Sequence, residues 1–181
     1  MNKIIYDDLY RYVGKRDFKI LLRYVIFTAG FRYVFLFRKT QLASNKITAF
    51  FWRVALRQCM LRTGIQIPEQ TKIGRGFRIV HFGNIVINPM AIIGKNFNIA
   101  QGATIGSAEG KLKGVPTIGD NVCIQPNATV VGGITIGDDV FIAPNAFVNF
   151  DVPNGAIVIG NPGQIINKEK ASAKYIVYKL N

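Results

Sequence analysis

Histidine and cysteine are scarce in this sequence, which has one histidine, His81, and two cysteines, Cys59 and Cys123, among 181 residues. Two cysteines far apart in the chain are too few for a disulfide scaffold, and neither has neighbours at metal-ligand spacing. Both lie in apolar surroundings, so we expect them to be core residues. The sequence therefore predicts neither a disulfide framework nor a metal site.

Long uncharged hydrophobic runs are also missing. The most apolar stretch, Leu21–Phe37, is interrupted by Arg23 and Arg32, and its longest charge-free run, Tyr24–Phe31, has eight residues. A spanning helix needs about 18 apolar residues. The N-terminus does not resemble a signal peptide, because it carries two aspartates and no small-residue cleavage site. We therefore expect a cytoplasmic protein with no spanning segment here.

Acidic residues are few, and the basic excess is uneven. The chain has 23 Lys and Arg against 10 Asp and Glu, and residues 1–64 hold thirteen of the former and three of the latter. Such a region could face nucleic acid, an anionic membrane or a phosphorylated substrate. We expect the neighbouring aromatic side chains on buried helix faces rather than stacked on bases, so nucleic acid is not predicted as a partner.

The N-terminal third is predicted to be helical. Residues 6–39 form one apolar stretch with a polar edge, and a second helix follows, with Ser44 or Asn45 as its N-cap and Gly64 as its stop. Two hypotheses remain open for these helices. They either pack as a cap on the rest of the protein, or they contact an anionic membrane through Tyr24–Phe31 and a basic cluster consisting of Arg11, Lys15, Arg16, Lys19 and Arg23.

From residue 65 onward, aliphatic residues recur every six positions. A period of six fits neither an α-helix nor one long alternating strand. It is typical of a solenoid whose coils each contain three short strands, with one residue per hexad pointing inward. We call the inward-pointing residue of each hexad the ladder residue. Gly, Asn and Asp often follow it, and these residue types suit corners with positive φ. The ladder residues are Ile73, Ile79, Ile85, Ile87, Ile93, Ile99, Ile105, Ile118, Ile124, Val130, Ile136, Ile142 and Val148.

These patterns predict an all-β fold, a left-handed parallel β-helix preceded by a short α-helical N-terminal region. The predicted organisation is a basic helical region at 1–64, the β-helix at 65–166 and a C-terminal tail at 167–181. Residues 107–116 lack the hexad pattern and are predicted to form a loop extruded from the solenoid, where functional groups concentrate.

His81 is the strongest candidate for catalysis. It stands two positions after the inward-facing Ile79, so we expect its side chain to face outward. No other side chain type here accepts a proton near neutral pH. A general base of this kind contributes about 10²–10⁴ in rate.

Two stretches resemble a known family. The run from Ile73 to Gly106, which includes His81, Asn84 and Asn88, resembles the serine acetyltransferase branch of the hexapeptide acyltransferases. The stretch 158–163 resembles their closing turn, and the similarity extends over about residues 67–166. The resemblance implies an acetyl-CoA-dependent O-acetyltransferase that uses no metal. It also implies a homotrimer, an active site in the groove between neighbouring solenoids, and His81 as the base for the acceptor hydroxyl.

The resemblance also implies binding residues. Positions that would line the pantetheine arm of acetyl-CoA are Gly106, Gln125, Ala143 and Gly160. Charge alone suggests phosphate contacts from Lys111, Lys113, Lys168 and Lys170. Asn84 and Asn88 are the candidates for acceptor binding.

Two departures from the family bear on the acceptor. Val80 stands where serine acetyltransferases carry an aspartate before the catalytic histidine, and residues 107–116 lack the second histidine of that family. A short basic helical leader followed by this solenoid is also similar to O-acetyltransferases of capsule and exopolysaccharide assembly. We therefore expect a sugar hydroxyl, on a glycan or lipid-linked intermediate, as the acceptor. The alternatives are a serine O-acetyltransferase and a non-enzymatic solenoid scaffold in a glycan-assembly complex. On the lipid-linked hypothesis, the protein would lie peripherally at the inner face of the membrane.

Overall fold

The computed structural model describes residues 2–181, which form a helical region followed by a three-sided solenoid of short strands. The helices are α1 (Lys3–Val13), α2 (Phe18–Phe27), α3 (Ala29–Gln41) and α4 (Lys46–Thr63). The first side of the solenoid contains β1 (Lys72–Ile73), β4 (Ile92–Ile93), β7 (Thr117–Ile118) and β10 (Thr135–Ile136). The second contains β2 (Arg78–Ile79), β5 (Asn98–Ile99), β8 (Cys123–Ile124), β11 (Phe141–Ile142), β13 (Ile157–Ile159) and β14 (Gln164–Ile166). The third contains β3 (Val86–Ile87), β6 (Thr104–Gly106), β9 (Thr129–Val131) and β12 (Phe147–Val148).

Each sheet pairs strands from successive coils in parallel. On the first side Ile73 pairs with Ile93, and Ile93 pairs with Ile118, while β13 and β14 form an antiparallel pair at the C-terminal end. Every predicted ladder residue is buried. The residues that recur every six positions are therefore the inward-facing side chains of a parallel β-helix. The all-β assignment is wrong, because four helices occupy most of residues 3–63.

The helical region differs in detail from the expectation. The stretch predicted as one helix over residues 6–39 contains three, because Gly14 ends α1 in a left-handed conformation and Thr28 interrupts the chain between α2 and α3. The fourth helix has the predicted ends, with Asn45 as N-cap and Gly64 as C-cap. The break at Thr28 places the start of α3 against the first coil, where Gly30 packs on Ile79.

The glycines directly after ladder residues are required for a different reason from the one expected. Gly94 and Gly119, directly after ladder residues, do not have positive φ. A Cβ on Gly119 would lie 2.3 Å from Asp138 Oδ1 in the next coil, so close stacking of the coils requires glycine there. Positive φ occurs further along the corners, at residues such as Asn121 and Asn127.

A buried ion pair joins the helices to the first coil. Arg38 Nε donates to Asp8 Oδ2 at 2.8 Å, and both side chains are almost fully buried. Asp8 Oδ1 accepts from the backbone N–H groups of Gly76 and Phe77, while Arg38 donates to the carbonyls of Ile73 and Gly74. The ion pair joins α3 to α1, and the four bonds to backbone groups connect these helices to the end of β1 and the corner that follows it. The pair therefore fixes the position of the helical region on the solenoid.

Residues 167–181 run back along the second side of the solenoid, and we call this segment the C-terminal strap. The Tyr175 ring stacks on Phe141 with centroids 4.2 Å apart. Near the first coil, the buried Arg11 of α1 donates to Asn98 Oδ1 at 2.7 Å and to the carbonyl of Val177 in the strap. The strap therefore covers outward-facing residues of the second sheet and connects it to α1.

Within residues 2–181, no helix alone is long and apolar enough to cross a membrane. The pair α2 and α3 meets that test only when the two are taken together, and they are bent by 111°.

Candidate active site

His81 lies on an enlarged corner between the second and third sides of the first coil. In the first coil, Ile79 of β2 and Ile87 of β3 are eight residues apart. Their partners in the next coil, Ile99 of β5 and Ile105 of β6, are only six residues apart. The two-residue phase shift in the ladder is therefore a longer corner. It carries the exposed His81 side chain outward from the stacked coils.

A cavity of about 320 Å³ lies beside this corner. One wall comes from the break between α2 and α3, and the other from the corner itself. The lining residues are Phe27, Thr28, Ala29, Gly30, Ile79, Val80, His81 and Phe82. The space can accept a small hydroxyl compound next to the imidazole, and its walls are mostly apolar.

Across residues 2–181, the His81 imidazole has no hydrogen-bond partner and no carboxylate within 4.0 Å. Val80, at the position where the resemblance calls for an aspartate, is also part of the cavity wall. The imidazole nitrogens are thus available to a hydroxyl group placed in the cavity. Any group that orients the ring as a base would have to come with the substrates or from a neighbouring subunit.

Three of the predicted pantetheine-lining residues lie on the same edge of the solenoid as His81. Gln125 and Ala143 directly follow Ile124 and Ile142, which continue the inward stack that begins at Ile79, and Gly160 follows the last strand of that stack. Ala143 and Gly160 are small, so an extended ligand can approach the backbone along this edge. The structure therefore groups these three positions with the candidate base.

Gly106 and Asn88 lie at the opposite edge of the third side. Asn88 follows β3 and donates its backbone N–H to the carbonyl of Ile105, directly before Gly106. The Asn88 side chain accepts from the backbone N–H of Met90 and so closes a turn. Within one protomer, the predicted set of binding residues is divided between two edges.

The other candidate acceptor residue, Asn84, lies in the His81 corner. Its φ of 48° is left-handed. A Cβ on Gly64 would lie 2.6 Å from Asn84 Oδ1, so this side chain is packed against the end of α4. The structure thus gives Asn84 a role in the shape of the corner.

The four lysines proposed to bind phosphate are also separated. Lys111 and Lys113 lie in the extruded loop, which contains a short 3₁₀-helix at Gly110–Leu112. Lys168 and Lys170 lie at the start of the C-terminal strap, beside Phe141 of the second side. All four side chains are exposed, and no single protomer brings the two pairs together.

Gln101 is a polar residue of this region that the sequence did not single out. It belongs to the corner of the second coil, next to the His81 corner, where Gly102 donates its N–H to the carbonyl of Gly83. Its Oε1 atom is buried without a hydrogen-bond partner among the residues described. That oxygen can accept a hydrogen bond from a ligand. The only sequence signal was its place in the motif Gln101–Gly106 that carries the family resemblance.

The two cysteines are buried and offer no nucleophile. Burial raises the pKa of the Cys123 thiol to about 11 and also raises the pKa of Cys59. Both thiols therefore remain protonated at neutral pH. In the part of the chain that the structure covers, no group of three or more His, Cys, Asp or Glu side chains could hold a metal ion.

Comparison with known proteins gives consistent relatives. The family described as "Bacterial transferase hexapeptide (six repeats)" matches residues 116–149. A Bacillus licheniformis protein named serine acetyltransferase is 38% identical over 106 residues, which cover 58% of this chain and 49% of that protein. A Staphylococcus epidermidis protein of the same name is 41% identical over 109 residues, which cover 59% of this chain and 51% of the relative. The chain thus spans about half the length of the curated relatives it matches.

Among solved structures, serine acetyltransferase from Neisseria gonorrhoeae in complex with serine matches with a TM-score of 0.71 and 28% identity. The match covers 91% of this chain and 68% of that one. Together with the hexapeptide match, this similarity supports a left-handed β-helix with N-terminal helices.

The comparisons correct the acceptor predicted from the sequence. The relatives are named serine acetyltransferase, and the solved structure contains serine. The prediction of a polysaccharide hydroxyl as the acceptor is wrong. It gave too much weight to two local departures, Val80 and the histidine-free loop, in a region that is otherwise similar to serine acetyltransferases.

Proposed function

We propose that this protein is an acetyl-CoA-dependent serine O-acetyltransferase in which His81 is the general base. The observation that carries the proposal is the enlarged corner, which places the only histidine of the sequence beside a cavity of about 320 Å³. The similarity of residues around this corner to serine acetyltransferases supports the choice of donor and acceptor.

The reaction requires one proton to be moved. His81 accepts the proton of the acceptor hydroxyl while the hydroxyl oxygen bonds to the acetyl carbon, and the same proton can then pass to the departing thiolate. Acetyl-CoA supplies the activated acetyl group. The edge formed by Gln125, Ala143 and Gly160 is open to an extended ligand at Ala143 and Gly160, where the thin pantetheine arm can lie against backbone groups.

We further propose a homotrimer, because one protomer holds only part of the site. His81 and Ala143 lie at one edge of the third side, while Asn88, Gly106 and the lysine-bearing loop lie at the other. Packing the first edge of one solenoid against the second edge of its neighbour would complete a groove, and a cyclic arrangement repeats that contact three times.

This arrangement predicts complementation between inactive subunits. Light scattering should give three times the chain mass of 20.1 kDa. His81→Ala and Gly106→Arg subunits should each be inactive alone. After mixing and reassembly in equal amounts, about a quarter of the sites should combine an intact His81 edge with an intact Gly106 edge. A monomer with full activity, or no recovery from verified mixed trimers, would contradict the shared site.

Substrate assays test the acceptor. Purified protein with acetyl-CoA should release free thiol in the presence of L-serine, since the hydroxyl of serine supplies the nucleophile. L-alanine, which differs only by lacking that hydroxyl, should give the background rate. The product should be O-acetylserine by mass spectrometry. Thiol release with a methyl glycoside but not with serine would refute the serine assignment, and a non-enzymatic scaffold would release none with either compound.

A further inference from the structure

The exposed side of α2 combines an apolar stripe with a basic stripe. Phe18, Leu22 and Ile26 are spaced four residues apart and are 53%, 45% and 56% exposed. Lys19 and Arg23 follow the first two of them and form a parallel row. We call these five residues the α2 outer face. Neither basic residue pairs with a carboxylate anywhere in residues 2–181.

This face differs from the anchor expected from the sequence. Arg11 is buried, Arg16 pairs with Asp7 at 2.9 Å, and Phe31 is buried in α3. Arg11 and Phe31 therefore belong to the interior, and the half-exposed Arg16 is engaged by a carboxylate of the protein itself. The exposed basic residues without an ion pair are Lys15, Lys19 and Arg23. The exposed apolar stripe runs along α2 from Phe18 to Ile26, so it shares only Ile26 with the expected segment Tyr24–Phe31.

The charged side chains of α2 and α4 are all basic. Residues 18–68 contain no aspartate or glutamate. On α4, Ile47, Phe50 and Phe51 are also more than half exposed, beside Arg57. A second copy packed on this surface would bring like charges together, which opposes association. Exposed apolar side chains among unpaired cations are instead complementary to an anionic bilayer.

The helix is held firmly in this orientation. Leu21 packs in a buried cluster with Ile5, Leu9 and Phe31, opposite the exposed stripe. Arg32 of α3 donates to the carbonyl of Val25 at 2.7 Å and to that of Ile26, so it satisfies carbonyl groups at the end of α2. The apolar stripe therefore cannot be buried by a simple rotation of the helix.

We propose that the α2 outer face binds the surface of an anionic lipid bilayer, with Phe18, Leu22 and Ile26 in the interfacial layer and Lys19 and Arg23 among the headgroups. The helix ends at Phe27, which lines the cavity beside His81, so the bound membrane would lie near the mouth of the candidate active site. This peripheral contact needs no spanning segment and does not depend on the acceptor.

Vesicle co-sedimentation of the protein tests the proposal. At low ionic strength, the wild type should bind vesicles of phosphatidylcholine with 30% phosphatidylglycerol and should not bind pure phosphatidylcholine. The variant with both Lys19→Gln and Arg23→Gln should bind roughly 30-fold more weakly, which corresponds to ~1 kcal/mol for each basic residue near an anionic surface. Added salt should weaken wild-type binding, because the Debye length is only about 10 Å at 0.1 M.

Matched variants separate this contact from general charge and from self-association. Replacing the exposed Lys72 and Lys174 by Gln removes the same charge from the solenoid and strap, and it should leave binding within twofold of wild type. Replacing Phe18, Leu22 and Ile26 by Ser should abolish vesicle binding with no change in oligomer mass by light scattering. Equal losses in both charge variants, no wild-type binding to anionic vesicles, or dissociation of the oligomer by the Ser variant would overturn the proposal; the last result would identify the face as an interface between copies.

Discussion

Replacing His81 by alanine is expected to lower kcat for acetyl transfer to L-serine by about 10²–10⁴. The imidazole is the only side chain in the cavity that can take a proton near neutral pH, and the other lining groups are apolar or hydroxyl-bearing. Acetyl-CoA affinity should stay nearly unchanged, because His81 acts on the acceptor and the pantetheine positions lie in later coils. Steady-state kinetics and calorimetric titration with CoA measure the two quantities separately.

The matched control for this substitution is Gln70→Ala, which removes an exposed polar side chain from a corner that is not part of the cavity. It should retain wild-type kcat. The His81→Ala protein should also keep the wild-type midpoint of thermal unfolding, since its side chain is exposed and makes no hydrogen bond to residues 2–181. Unchanged turnover in His81→Ala would exclude it as the base, and an equal loss in Gln70→Ala would show that the effect is not specific.

The solenoid could be predicted from the sequence because its period has one physical cause. Each inward residue, such as Ile99 or Ile124, stacks on its equivalent in the next coil, so the same chemical requirement recurs at every sixth position. The phase shift between Ile79 and Ile87 was also visible. The sequence alone did not identify this shift as an enlarged corner that carries His81 outward. That assignment became possible only from the pairing of β2 and β3 with the next coil.

The C-terminal strap was predicted only as a tail, although a signal for it was present. The outward positions of the first side are Lys72, Ile92, Thr117 and Thr135, and all four are exposed, while Cys123 and Phe141 at outward positions of the second side are buried. Apolar outward residues such as Cys123 and Phe141 are compatible with a cover, but Ile92 is outward and exposed, so this signal alone is not specific. The sequence could not say that the cover is the strap, because the contact between Phe141 and Tyr175 joins residues whose spacing follows no repeat.

The candidate site could be predicted in its central residue but not in its arrangement. His81 stood out because of its chemistry, whereas Gly106 and Ala143 were assigned to the same ligand by position in the motif. The structure places them at opposite edges of the third side. A linear sequence does not specify which edge of a solenoid faces a neighbouring subunit, so the proposed division of the site between protomers rests on the coil geometry.

Arg38→Met is expected to reduce the free energy of unfolding by about 3–5 kcal/mol, since removing one partner of a buried ion pair leaves the other charge uncompensated. Arg38 is 2% exposed and lies 2.8 Å from Asp8, and it also donates to the carbonyls of Ile73 and Gly74. For a chain of this length the loss corresponds to a fall in Tm of roughly 6–20 °C. Urea unfolding followed by circular dichroism measures it.

The exposed pair of Arg53 and Glu69 provides the matched control. Arg53→Met removes an arginine from another helix, but that side chain is 58% exposed, so the expected loss is below about 1 kcal/mol. Adding Asp8→Asn to Arg38→Met should recover part of the lost stability, since no buried charge remains and the amide oxygen can still accept from the N–H groups of Gly76 and Phe77.

The pH dependence of the Arg38→Met loss gives a further check on the cause. Burial raises the pKa of Asp8, and Arg38 opposes that rise. In Arg38→Met the pKa should rise further, so the carboxyl binds a proton more readily in the folded state than in the unfolded state. When the pKa of a carboxyl group is higher in the folded protein than in the unfolded chain, the free energy of unfolding decreases as the pH rises above the unfolded-state pKa. The destabilisation should therefore be smaller at pH 5 than at pH 8. A loss that is the same at both pH values, or no greater than that of Arg53→Met, would show that the ion pair does not hold the helical region on the solenoid.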